Sequence, residues 1–349
     1  MKILNYLLIF VPISIVGELV HISPTLMFLL SALAIVPLAG LMGEATEELS
    51  FYTGPKVGGF LNATFGNATE LIISFFALKQ GLFDVVKASI AGSVIGNILL
   101  VLGASMFFGG LNHKTQKFSR KVVEVSSSML IFAVIGLSVP AIFTHTIKTE
   151  LLNTTYENLS IAVAIIMFAI YILSLYFSFY THKDIYSVEH EDDLPGEAKW
   201  SLKKAIFVLI AATVIIAFES EFLVGVVEPM TENLGLSEFF VGIILIPIIG
   251  NAAEHSTAVM MALKNQMNVA IEIAIGSSLQ IILFVAPVLI FISLLFKPMS
   301  IIFNEFELIA LIVSVFIANR VASDGESNWL EGVQLLAVYL IIAVSFLIL

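Results

Sequence analysis

GNATELIISFFALKQG at residues 66–81 and GNAAEHSTAVMMALKNQ at residues 250–266 decide the fold of this chain. The two pentads begin at Gly66 and Gly250, 184 residues apart (250 minus 66), and Gly92-Ser93 answers Gly276-Ser277 at the same offset (276 minus 92). Between these points ALKQG becomes ALKNQ, with one residue inserted and one lost later. Two matches at one offset, each within a pair of consecutive apolar segments, mark an internal repeat.

The surroundings of both copies are apolar. Of the 349 residues 59% are hydrophobic and 12% are charged, about half the roughly 25% charge of a soluble domain. The apolar runs repeatedly reach the ~20 residues that carry a helix across a bilayer. The pattern predicts an all-α polytopic membrane protein with eleven spans, at about 3–21, 25–54, 57–79, 83–109, 123–145, 156–181, 202–228, 237–263, 267–296, 301–320 and 328–349. These segments are too long and continuous for a transmembrane barrel. The N-terminal stretch has only Lys2 before it and no A-x-A site, so it reads as a span and not as a signal peptide. Pro24, Pro55, Pro229 and Pro298 fall at junctions, whereas Pro12, Pro37, Pro247 and Pro287 are expected to kink the spans that hold them.

The span count gives the repeat its meaning. The first motif falls in the third span and the second in the eighth, so the two run in opposite directions. That is the inverted repeat of secondary transporters, whose site lies near the midplane between the halves. The expected organisation is an N-terminal helix at 1–22, a five-helix repeat at 23–182, an acidic connection at 183–200 and a second five-helix repeat at 201–349. Basic residues orient it. Lys114, Lys117, Arg120 and Lys121 share a face with Lys183, Lys199, Lys203 and Lys204, and this face also collects Lys2, Lys56, Lys264 and Arg320. Only Lys79, Lys87, Lys148 and Lys297 lie opposite. The expectation is a cytoplasmic N-terminus, an outside C-terminus and residence in the plasma membrane.

Composition also excludes. With no cysteine there is no disulfide, zinc-thiolate site or redox motif, and a net charge of -11 argues against nucleic acid. No resident cofactor is expected. The partners are the bilayer and the transported ions, and homo-oligomerisation is left open.

The chemistry centres on Glu70 and Glu254. Glu70 is the only charged residue between Lys56 and Lys79, and Glu254 the only acid from Phe239 to Leu263. A charge at the middle of a membrane helix costs about 2.5 kcal/mol or more, which makes such a residue functional by default. Gly59, Ala63, Gly66, Glu70, Ser74 and Ala77 recur at helical spacing, predicting a stripe of small residues where another backbone approaches. Asn67 and Asn251 each precede a glutamate by three residues, one turn away. Ser93 and Asn97 in the fourth span, with Ser277 and Gln280 in the ninth, add hydroxyl and amide oxygens. The predicted metal site is therefore Glu70, Glu254, Asn67, Asn251, Ser93, Ser277, Gln280 and Asn97. Such an all-oxygen set suits a hard cation, and its flexible geometry suits Ca2+ better than Mg2+. Two carboxylates match one divalent cation or two protons, and taking a carboxyl out of water disfavours its charged form. Protons and cation can then compete for one site.

Other charges are placed by the same reasoning. His255 is expected to take part in proton coupling beside Glu70 and Glu254, or else to pack, since it points about 100° away from Glu254 on a helix. Glu48, Glu219 and Glu221 are candidates for a hydrated approach path. Glu44 and Glu47 read as interfacial, and the run Glu189–Asp193 as a solvated segment.

Both motif segments, continued to GSSLQIILFVAP in the second copy, and the stretch SDGESNWLEG at 323–332 resemble the calcium/proton exchanger (CAX) family of the calcium/cation antiporter superfamily, in its bacterial form. The resemblance implies export of cytosolic Ca2+ in exchange for protons. It implies that Glu70 and Glu254 are the essential acids, with Asn67, Asn251, Ser93, Ser277 and Gln280 near them. Sodium/calcium exchangers of that superfamily carry G-T-S-x-P-E-type repeats, and the Ser and Pro are missing here. A sodium-coupled or broader divalent exchanger is the alternative within transport. An intramembrane carboxylate enzyme is the alternative outside it, and no D-D-x-x-D, H-E-x-x-H or G-x-S-x-G motif supports it.

Overall fold

A computed structural model describes residues 4–144, 152–182 and 198–348. A 3-10 turn at Leu4–Ile9 leads into the helices. These are α1 (Phe10–Leu19), α2 (Pro24–Phe65), α3 (Ala68–Gln80), α4 (Phe83–Ile95), α5 (Leu102–Asn112), α6 (Arg120–Thr144), α7 (Leu152–Tyr176), α8 (Leu202–Gly225), α9 (Val227–Leu234), α10 (Glu238–Phe240), α11 (Ile246–Gly250), α12 (Ala252–Leu263), α13 (Met267–Gln280), α14 (Ala286–Ser293), α15 (Glu305–Val321) and α16 (Trp329–Ile348). Short π-helical stretches fuse α4 to α5 (Gly96–Val101), α10 to α11 (Val241–Leu245) and α13 to α14 (Ile281–Val285). The strands β1 (Gln116–Lys117) and β2 (Glu326–Ser327) pair antiparallel, Gln116 opposite Ser327.

Local chemistry sets many of the ends. Pro24 opens α2, where a missing N–H costs nothing. Ser201 and Ser237 accept the amides of Lys204 and Phe240 at the starts of α8 and α10. Asn304 and Glu307 form a reciprocal capping box at α15. Gly81, at φ 81°, stops α3, and Asn265, at φ 63°, stands just beyond α12 at the corresponding place of the second copy.

The chain is an all-helical membrane protein. Among the described residues eight helices are long and apolar enough to cross a bilayer, or nine if a bent pair counts as one span. Three expected spans fall short of that test for physical reasons. The segment at 57–79 is interrupted: α2 continues past a kink at Gly54 (φ 80°, ψ 169°) to Phe65, and α3 starts at Ala68. The segment at 237–263 is broken at Asn251. The N-terminal segment is a 3-10 turn followed by a ten-residue helix. The span expected at 202–228 also ends early, at Gly225, and α9 then bends by 116° against the helix that starts at Glu238.

The interior prolines behave unequally. Pro247 and Pro287 sit in the first turns of α11 and α14, directly after π-helical stretches. There the widened register absorbs the hydrogen bond that proline cannot make. Pro37 leaves α2 unbroken, because Gly54 is the one residue with non-helical angles inside it.

Burial sorts the spans into an inner and an outer set. The spans Phe83–Asn112 and Met267–Ser293 are 72% and 67% buried, while Asn158–Thr181 and Trp329–Ile348 are only 22% buried each. The outer helices therefore turn apolar side chains such as Ile165, Leu173, Leu340 and Ile341 outward, as lipid contact requires. At the centre α4 and the π stretch at Val241 touch backbone to backbone. A Cβ on Gly92 would collide with the Ile243 carbonyl, and one on Gly242 would meet Ala88 at 2.8 Å.

Three connections meet on one side. Gln116 Nε2 donates to the Ala262 carbonyl (2.8 Å) and to Asn265 Oδ1 (3.0 Å), and the Ser119 amide donates to Asn268 Oδ1 at 2.5 Å. The β1–β2 pairing adds residues 326–327 to the same cluster. Residues 183–197, with the acidic run Glu189–Asp193 and most of the expected connection at 183–200, lie outside the described residues, as does Lys148.

Candidate functional site

The two helix breaks meet at the centre of the protein. Asn67 (φ -107°, ψ 24°) and Asn251 (φ -94°, ψ 6°) both leave helical geometry, so Glu70 and Glu254 fall in the first turns of α3 and α12. A helix N-terminus presents free amides and the positive end of the dipole. Each carboxyl is thereby partly compensated without a countercharge. This replaces the continuous stripe expected over 59–77: Gly59 packs against the Phe179 ring, away from the glutamates.

The carboxyls are seated crosswise. A Cβ added to Gly250 would lie 2.9 Å from Glu70 Oε1, and one added to Gly66 would lie 3.4 Å from Glu254 Oε1. Each motif's glycine is thus the floor on which the other motif's glutamate rests. At Gly250 the Glu70 carboxyl itself crowds out a side chain, whereas at Gly66 the Glu254 carboxyl is in ordinary contact and the obstacle to a Cβ is the Asn62 carbonyl oxygen at 2.7 Å.

Around the carboxyls runs a directed chain of hydrogen bonds. His255 Nε2 lies 3.2 Å from Asn97 Oδ1, Asn97 Nδ2 donates to Ser277 Oγ (3.1 Å), Ser277 Oγ donates to Asn67 Oδ1 (2.8 Å), and Asn67 Nδ2 donates to Gln280 Oε1 (2.6 Å). Because Asn97 Oδ1 can only accept, the His255 Nε2 carries a proton. The chain occupies the carbonyl oxygens of Asn67, Asn97 and Gln280. Asn251 is arranged differently: its Nδ2 donates to Ser93 Oγ (3.2 Å) and to the Pro247 carbonyl (3.0 Å). Its Oδ1 has no partner.

The oxygens left over define the chemistry. Both oxygens of Glu70, Oε2 of Glu254, Oδ1 of Asn251 and the Thr69 hydroxyl are buried without a hydrogen-bond partner. Buried polar atoms are almost always paired, so the unpaired oxygens of Glu70, Glu254 and Asn251 leave acceptors open for protons or a cation. Oxygen donors of this kind bind protons or a hard cation. Among the described residues there is no cluster of three or more His, Cys, Asp or Glu side chains. A cation here is therefore held by two acids and neutral oxygens.

The structure brings together all eight predicted ligands and adds His255 through Asn97. Thr69 was missed; as the variable residue of its pentad, with Ala253 in the second copy, it gave no repeat signal. The three approach-path candidates lie elsewhere. Glu48 is buried and accepts the Trp200 amide at 2.9 Å, and Glu219 is buried against Ser14. Glu221 is half-exposed and paired with Lys79 at 3.3 Å.

Comparison with known proteins relates the whole chain to a family. The model of the sodium/calcium exchanger protein family matches residues 23–180 and 204–348. A Ca2+/H+ antiporter of Aphanothece halophytica is 48% identical over 97% of this chain and 95% of its own length. The Ca2+/H+ antiporter ChaA of Bacillus subtilis is 46% identical over 97% of both. The solved structure of native YfkE superposes with a TM-score of 0.87 at 42% identity, covering 99% of this chain and 100% of that one.

Proposed function

We propose how this chain works from the premise that it belongs to the sodium/calcium exchanger protein family: it is a Ca2+/H+ antiporter, and Glu70 and Glu254 hold Ca2+ and protons in turn. The observation that carries the site is the crosswise seating of the two carboxyls among orphaned oxygens. Two negative charges are neutralised by one dehydrated Ca2+ or by two protons, and the space between Gly66 and Gly250 accepts one or the other. Glu70, Glu254 and Asn251 Oδ1 bind the ion directly. Ser93, Ser277, Asn67, Asn97 and Gln280 hold the groups in place or turn an oxygen inward when the hydrogen-bond chain opens. His255 joins the proton-bearing state through Asn97.

The proposed architecture is eleven spans. Eight are the long helices, two are the broken segments at 55–80 and 238–263, and the short N-terminal helix completes the set. An extra helix at 1–22 then precedes two inverted repeats at 23–182 and 201–349, joined by the connection at 183–200. Corresponding spans support this: the fourth and ninth are the most buried, the sixth and eleventh the least. The clustering of residues 116–119, 262–268 and 326–327 also agrees, since an even number of spans separates these connections. Lys114, Lys117, Arg120, Lys121 and Lys264 crowd that side, which makes it the cytoplasmic one. The N-terminus is then cytoplasmic, the C-terminus outside, and the plasma membrane the site of Ca2+ export.

Purified protein in liposomes tests this reading. An imposed proton gradient should drive Ca2+ across the membrane in sodium-free buffer. No movement, or movement that requires sodium, overturns proton coupling, and uptake driven equally by other divalents identifies the broader exchanger.

A further inference from the structure

A further carboxyl is fully buried, away from the exchange site. Glu219 on α8 is 0% exposed, as are Ser14 on α1 and Ser31 on α2. Glu219 Oε1 lies 2.5 Å from Ser14 Oγ, and Ser14 Oγ lies 2.7 Å from the Val11 carbonyl oxygen. Glu219 Oε2 and the Ser31 hydroxyl have no partner.

Protons can be counted along this row. Val11 O, Ser14 Oγ and Glu219 Oε1 are three oxygens joined by two short contacts, and each contact needs a proton between its atoms. A carbonyl brings none and a serine hydroxyl brings one. The second proton belongs to the glutamate. No neighbouring charge offers another solution. Lys79 on α3 is committed to Glu221, and Glu18, His21, Glu228 and Glu232 on the surrounding elements are exposed. An ionised carboxylate in this place would be an unpaired buried charge, whereas a neutral acid needs only hydrogen bonds.

We infer that Glu219 is a second proton-binding site, separate from the exchange site, which carries a proton in this structure and uses it to fasten α1 to α8 through Ser14. The ligand is H+ and not a metal cation, because one carboxyl and two serine hydroxyls fall short of the six to eight oxygens that a hard cation such as Ca2+ takes. In the protonated state both contacts are bonded at once, Glu219 to Ser14 and Ser14 to the Val11 carbonyl, whereas an ionised Glu219 accepts from Ser14 and takes that hydroxyl away from Val11.

Infrared absorption of the purified protein tests the assignment. The sample is saturated with Ca2+ at neutral pH, so that ligation removes protons from the exchange site. The difference between wild type and Glu219→Gln should contain a protonated-carboxyl C=O band that the variant lacks. A difference showing only carboxylate stretches overturns the proposal. Ser14→Ala removes a single hydroxyl and serves if the Gln variant does not fold. It should retain the C=O band at a shifted frequency, and an unshifted spectrum contradicts the link to α1.

Discussion

The two copies of the motif have nearly the same letters and different surroundings. Glu70 is 4% exposed and both its oxygens are orphaned, while Glu254 is half-buried on a helix whose neighbouring Ser256 and Met260 are exposed. The Asn67 amide is engaged at both ends, by Ser277 and Gln280. The Asn251 amide donates twice and keeps its carbonyl oxygen free. In the proposed site the first motif is then the more enclosed side, and the second is the side that keeps a free amide oxygen. Asn97 and Gln280 differ in the same way: Asn97 passes the hydrogen-bond chain on to Ser277, and Gln280 accepts its end from Asn67.

The largest effects should come from what the copies share. Glu70→Gln and Glu254→Gln each leave one negative charge to face a divalent ion. Ca2+/H+ exchange in liposomes should fall below detection for both, with the variants still monodisperse. A variant with wild-type transport would remove its glutamate from the site.

Gly250→Ala comes next. Its new Cβ would stand 2.9 Å from Glu70 Oε1, and overpacking of this kind costs about 1–3 kcal/mol. That corresponds to roughly a fivefold to 150-fold weaker Ca2+ affinity, readable by titration calorimetry. Unchanged affinity would mean that the crosswise seat does not hold the binding geometry.

The asparagines should then separate. Asn251→Ala removes a free oxygen together with two donated hydrogen bonds, and should weaken Ca2+ binding about tenfold while lowering the melting temperature about as much as Asn67→Ala does. Asn67→Ala removes two hydrogen bonds worth about 1 kcal/mol each, and should lower the melting temperature more than it lowers affinity. Equal losses of affinity in the two variants would erase the distinction between the two sides. The smallest effect belongs to Glu221→Gln. Its half-exposed pair with Lys79 is worth about 0–1 kcal/mol, so exchange should change less than twofold. A large loss would put Glu221 back on the ion path.

Much of this was legible in the letters. Long apolar runs announced the helices, and the fixed offset paired the two segments that meet at the centre. Lone acids in both copies marked the candidate site, and seven of the eight other polar residues gathered there were visible as amides, hydroxyls and an imidazole. The helix breaks were not legible. Asparagine is tolerated inside a helix, and its departure from helical angles at 67 and 251 is set by the tertiary contacts of its amide. The glycines were read as small surfaces for backbone approach, whereas at 66 and 250 they face a carboxyl from the other half. That contact joins residues 180 or more apart and has no local signature. Glu219 shows the same limit: its depth in a span made it a candidate for a path, and only the structure shows it buried against Ser14 on α1.

The central claim is that the two motifs make one site. Calorimetric titration of the purified protein with Ca2+, repeated on Glu70→Gln and Glu254→Gln, tests it most directly. One shared site predicts a single Ca2+ per wild-type chain, released protons on binding, and loss of the whole isotherm in either variant. Two wild-type ions per chain, with one surviving in each variant, would contradict it.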